Sequence, residues 1–131
     1  NCQHKTLVHG DAKLANFLFS TAENSVAAVD FQYVGGGCGI KDVSYFLGSC
    51  LENDKLVDYE QELLSCYFNE LRRTLTPSIT AIELDALEVE WRELYDYACA
   101  DFTRFLLGWA PEHYKVNGYS KAKLKSVLSL M

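Results

Sequence analysis

The feature that most constrains this chain is a change of period at Gly39. Before it, apolar residues come in short runs of strand length; after it, they recur three and four residues apart for most of the remaining sequence. Short apolar runs bounded by turn residues mark strands, and the longer spacing marks helices that bury one stripe. Thr6 to Val8 reads as a brief strand, and HGDAKLAN as a polar loop. Segments 17–20 and 26–31 pair as a hairpin around the turn-rich TAENS. VGGGCG, at 34–39, reads as a flexible connection rather than an element. The fold class that follows is α+β, mainly helical, with a short β-hairpin at its start.

The helical part divides at its own punctuation. IKDVSYFLGSCL forms a first helix ending near Asn53, and Asp54 is placed to cap the next, where Leu56, Leu63, Leu64, Tyr67, Phe68 and Leu71 recur. Pro77 closes that segment. Thr80 and Glu83 make a capping box, in which each side chain satisfies the other's exposed N–H. The long run that follows carries Leu84, Leu87, Trp91, Leu94, Tyr95, Ala98, Phe102, Phe105 and Leu106, and breaks near Gly108 and Pro111. A last helix is expected from Ser120. The aromatic stripe Trp91, Tyr95, Phe102, Phe105 and Trp109 is assigned to the core; Glu90, Asp96, Asp101 and Arg104 are candidates for lining a substrate cleft, with a solvated face the preferred reading. His113 is given no role.

A chain of 131 residues suits one domain with a moderate core. The net charge of −6 offers no basic face for nucleic acid. No apolar run approaches the roughly 18 residues that a membrane span requires, so no membrane partner is expected. Five cysteines, an odd number without a C-x-x-C pair, support neither a disulfide framework nor a zinc ribbon. Most sit in apolar helical surroundings and are expected to be buried free thiols, which points to a reducing, cytoplasmic compartment. Cys2, His4 and His9 lack a fourth ligand at metal-site spacing. GGGCG lacks the G-K-[ST] ending of a phosphate-cradling loop.

The chemistry is concentrated in LVHGDAKLANFLF, residues 7–19, and in VAAVDFQ, which ends on Asp30 and the two residues after it. Phosphoryl transfer needs a carboxylate to orient the acceptor hydroxyl and receive its proton; it also needs cations to offset developing charge. Asp11 can be that carboxylate. Asn16 can supply an amide oxygen and Asp30 a second carboxylate to Mg²⁺, which prefers oxygen ligands. The hairpin brings Asn16 and Asp30 to the same open end.

H-G-D-x-x-x-x-N followed by D-F-Q resembles the catalytic loop and metal-binding motif of the aminoglycoside phosphotransferase and choline kinase families, which share the protein-kinase-like fold. YVGGGCGIKDVSYFLGSCL is similar to the segment that follows in that superfamily. The resemblance implies Asp11 as catalytic base, Asn16 and Asp30 as Mg²⁺ ligands, and Asp42 as a structural carboxylate bracing the loop. His9 then orients the loop from below. It further implies ATP as co-substrate and a small-molecule hydroxyl as acceptor. HGD in place of HRD favours a small-molecule kinase, whereas Lys13 stands where protein serine/threonine kinases place a lysine on the γ-phosphate. Only eight residues precede His9, and no V-A-I-K strand or G-x-G-x-x-G loop follows. The chain is therefore expected to be the C-terminal lobe of a larger phosphotransferase, inactive alone, with apolar helix faces left uncovered. The alternatives are a non-catalytic module of the same fold and a protein-kinase-like enzyme; Asp11, Asn16 and Asp30 together favour catalysis.

Overall fold

The structure is a computed structural model describing residues 2–130. In chain order it forms β1 (Thr6–Val8), a 3-10 turn (Leu14–Asn16), β2 (Phe17–Phe19), β3 (Val26–Ala28) and β4 (Gly35–Gly37). Four helices follow: α1 (Ile40–Cys50), α2 (Asn53–Leu75), α3 (Ala81–Trp109) and α4 (Gly118–Leu128). The class is α+β and mainly helical. The hairpin β2–β3 pairs Phe17 with Ala28, Leu18 with Ala27 and Phe19 with Val26. The Ser20 hydroxyl closes its turn by accepting the N–H groups of Ala22 and Glu23.

The glycine segment corrects the sequence reading. Gly35–Gly37 is β4, antiparallel to β1, with Thr6 opposite Gly37 and Val8 opposite Gly35. Glycine carries no side chain to signal a strand, so the pairing is visible only in three dimensions. Close packing explains part of the composition: a Cβ on Gly39 would stand 2.5 Å from the Trp91 ring.

The helix boundaries shift in three places. The first helix stops at Cys50, and Asn53 opens α2; Glu52, not Asp54, occupies the N-cap position. Asp54 lies instead in the first turn, where its charge faces the positive end of the helix dipole. The Thr80–Glu83 capping box forms as expected. Helix α4 starts two residues before Ser120, because Asn117 and Ser120 make a second reciprocal cap.

Ile40 of α1, Phe68 of α2, and Trp91 and Tyr95 of α3 meet in the core. The Trp91 indole N–H donates to the carbonyl of His4, and Glu90 accepts the backbone N–H of both Gln3 and His4, so α3 fastens the start of the chain. Two residues assigned to a solvated face are thus structural: Glu90 holds that segment, and Asp96 pairs with Lys123 of α4 at 2.6 Å. Lys123 also reaches the buried Glu60 at 2.8 Å, where the Tyr119 hydroxyl donates as well. The aromatic stripe is only half core, since Phe105 and Trp109 are exposed. The described cysteines are free thiols; Cys38 is buried, whereas Cys66 faces solvent against expectation. No described helix is long and apolar enough to cross a membrane.

Candidate functional site

The loop between β1 and β2 is built around its own hydrogen bonds. Gly10 adopts φ +83°, and a Cβ there would lie 2.4 Å from the carbonyl oxygen of Tyr33. Only glycine fits, which accounts for HGD in place of HRD. The two carboxylate oxygens of Asp42, in the first turn of α1, accept the N–H groups of His9 at 2.6 Å and Gly10 at 3.1 Å. His9 spans two chain segments: its Nδ1 accepts from the Asp11 N–H at 3.2 Å, and its Nε2–H donates to the Val29 carbonyl at 2.8 Å. Those two contacts select the neutral Nε2–H tautomer.

Asp11, Lys13 and Asn16 touch one another. Asp11 Oδ2 accepts from Lys13 Nζ at 2.8 Å and from Asn16 Nδ2 at 3.0 Å. Asn16 Nδ2 also donates to the Asp11 carbonyl at 2.8 Å, so both amide hydrogens point at Asp11 and Oδ1 is the atom left for other chemistry. Asp30 arrives from the other strand. The Val29 N–H donates to the Asn16 carbonyl at 2.9 Å, extending the hairpin ladder by one pair and setting Asp30 one residue beyond it. Asp30 holds φ +65°, a left-handed conformation uncommon outside glycine and cheapest for Asn and Asp. Its extended path ends there, which is why β3 stops at Ala28.

The electrostatics follow from these contacts. Burial pushes the Asp11 pKa up, but hydrogen bonds from Lys13 and Asn16, the Lys13 charge and the Tyr45 hydroxyl outweigh it, leaving a net downward shift. Lys13 is raised chiefly by its hydrogen bond to Asp11; burial opposes this, while the Asp11 and Asp30 charges add to it. At neutral pH the pair is a carboxylate and an ammonium.

Beside Asp11 and Lys13 opens a cleft of about 770 Å³. Its far wall is an aromatic ladder on α3, with Phe102–Phe105 and Phe105–Trp109 centroids 6.2 and 5.8 Å apart. Tyr45 of α1 packs on Phe102 at 4.5 Å. Asp101 and Arg104 line this cleft, the reading that the sequence set second to a solvated face, and pair with each other at 2.9 Å. Asn16 and Asp30 are not among its lining residues. Tyr45, Phe105 and Trp109 also line the cleft and are not among the candidate residues read from the sequence. Their signal was helical register: Tyr45 lies three residues after Asp42, on the same face of α1.

Among the described residues, no group of three or more His, Cys, Asp or Glu gathers as a metal cage. Asn16 Oδ1 and the Asp30 carboxylate are the candidate oxygens, fewer than a cage of protein ligands needs. Mg²⁺ commonly takes one or two protein oxygens and completes its shell with water and substrate phosphates.

A family model described as ecdysteroid kinase-like matches residues 1–78, a span running from the start of the chain through α2 and holding all six candidate residues. The chain belongs to the ecdysteroid kinase-like family. The resemblance to aminoglycoside phosphotransferases and choline kinases thus resolves at the level they share, a kinase-like phosphotransferase, with the ecdysteroid kinase-like family as the specific match. Helices α3 and α4, including the aromatic ladder, lie beyond the matched span. No curated protein and no solved structure matches the chain.

Proposed function

We propose that this family member transfers the γ-phosphate of ATP to a hydroxyl of a small molecule. The supporting observation is the contact of Asp11 with both Lys13 and Asn16, at the mouth of a cleft large enough for a small-molecule acceptor. Asp11 accepts a hydrogen bond from the acceptor O–H and aligns its oxygen on the γ-phosphorus. As the new P–O bond forms and the bond to the β-phosphate oxygen breaks, the acceptor proton passes to Asp11 and ADP leaves. Lys13, now on Asp11, exchanges that partner for the transferring phosphate. Asn16 Oδ1 and the Asp30 carboxylate would hold Mg²⁺, which when bound offsets charge on the phosphate oxygens. Asp42 and His9 keep the loop and the Asp30 strand in register. The acceptor enters along the aromatic ladder, where cations and carboxylates balance and flat apolar surface dominates.

The test is Mg·ATP turnover by the full-length protein. Asp11→Asn keeps the size of the side chain and removes the base, so kcat should fall about 10²–10⁴-fold while the nucleotide still binds. Wild-type kcat in that variant would remove Asp11 from the role.

A further inference from the structure

One face of α1 holds the catalytic loop at two places and carries Tyr45 between them. At its start, Asp42 accepts the backbone N–H groups of His9 and Gly10. Two turns on, the Ser49 hydroxyl accepts the Leu14 N–H at 2.7 Å while donating to the Phe46 carbonyl at 2.7 Å. Between them stands Tyr45, which shares its cleft with the Asp11 carboxyl and Lys13. Positions 42, 45 and 49 share a face because three, four and seven residues bring a helix back on itself. Those two contacts hold backbone, and the residue between them lines one cleft with the side chain proposed to act as base.

The Tyr45 ring is itself held. It packs on Phe102 at 4.5 Å, and Lys115 Nζ lies over it at 5.4 Å from the centroid, as it does over Phe102 at 6.0 Å. Tyr45 lines the same cleft as Asp11, Lys13 and Phe102. Burial, with the Asp11 charge beside it, raises the phenol above its ordinary value, so the hydroxyl remains a donor throughout the working range.

The need for such a donor follows from Lys13. Its ammonium is the 2.8 Å partner of Asp11 Oδ2, and in turnover it leaves for the phosphate. Asp11 then keeps Asn16, a loop residue that does not line the cleft. We infer that Tyr45 is a positioning residue for the Asp11 carboxyl, a donor on a rigid ring that keeps the base facing the acceptor when Lys13 is withdrawn. This rests on the reading of Asp11 given above.

The experiment is a double-substitution cycle on Mg·ATP hydrolysis by the full-length protein, with water as the phosphoryl acceptor. Tyr45→Phe keeps the ring and its stacking and removes only the hydroxyl. It should lower kcat about tenfold, the scale of one hydrogen bond to a charged group, with KM for Mg·ATP and the melting temperature close to wild type. In an Asp11→Asn background the same change should alter kcat by less than about twofold, because a residue acting through Asp11 has nothing left to position. Wild-type kcat in Tyr45→Phe overturns the inference, and so does an equal loss in both backgrounds, which is the mark of a merely structural role. If Asp11→Asn itself turns over normally, the reading of Asp11 fails first and takes the inference with it.

Discussion

Two residues carry the cost of the site's backbone geometry. Gly10 holds φ +83° under the Tyr33 carbonyl, so Gly10→Ala adds both left-handed strain and a 2.4 Å clash with main chain that cannot step aside. Urea unfolding should show a loss of about 2 kcal/mol or more, and the displaced loop should lower turnover beyond what the lost stability explains. Asp30 makes the opposite case. At φ +65° asparagine is tolerated as well as aspartate, so Asp30→Asn should melt within a few degrees of wild type. A neutral amide is a weaker Mg²⁺ ligand than a carboxylate, so Mg·ATP affinity should drop, on the order of tenfold. Unchanged magnesium dependence, measured by titration calorimetry, would take Asp30 out of the metal site.

At the scale of elements, the long helices are tied by charge as well as by apolar contact. Glu88 of α3 accepts from Arg72 of α2 at 2.6 Å and from Arg92, one turn along α3, at 2.8 Å, and Arg72 also reaches Asp85 at 2.7 Å. The Arg92 guanidinium lies over the Phe68 ring at 4.6 Å. Burial pushes the Glu88 pKa up, but the two arginines more than reverse it, so the folded value lies below the ordinary 4.5. A depressed carboxylate stabilises the fold above its unfolded value and ceases to do so as pH falls through the folded one. Melting temperature should therefore decline from about pH 5 downward, and Glu88→Gln should flatten part of that decline while lowering the plateau above it. An identical slope in the variant would assign the acid sensitivity to other groups.

Across the whole molecule, burial is unevenly distributed. The helices close around Trp91 and Tyr95, whereas a second apolar surface of the hairpin, α1 and α2 stays open. It forms a groove of about 630 Å³ with Phe17, Phe19, Val26, Phe31, Phe46 and Leu63 among its walls. Exposed apolar patches of this kind favour association. The 131-residue chain should sediment as concentration-dependent oligomers. Phe19 and Val26 face each other across β2–β3, so Phe19→Lys with Val26→Glu places opposite charges on the strand pair. That double variant should be monomeric with little change in melting temperature; persistent oligomers would move the contact to another face.

How much of this was legible beforehand depends on whether the information is local. Periodicity, capping chemistry and motif spacing are properties of neighbouring residues, so the hairpin, the order of four helices and the Thr80–Glu83 cap could be read from the chain itself. So could the closeness of the candidate residues, since His9, Asp11, Lys13 and Asn16 sit within one loop. What could not be read rests on partners far apart in sequence. The β1–β4 pairing joins positions about thirty residues apart through glycines that carry no pattern. Phe105 and Trp109 follow the core period of α3 yet stay exposed, because they line the open cleft. Glu90 and Asp96 look solvated until His4 and Lys123 arrive. Local sequence sets which stretches become helix or hairpin and which candidate residues share a loop, because those choices are made within a turn or two of backbone. Tertiary structure alone decided which side chains meet, because a hydrogen bond between Asp42 and His9, or a ring packed between Tyr45 and Phe102, exists only after distant segments have been brought within a few ångströms.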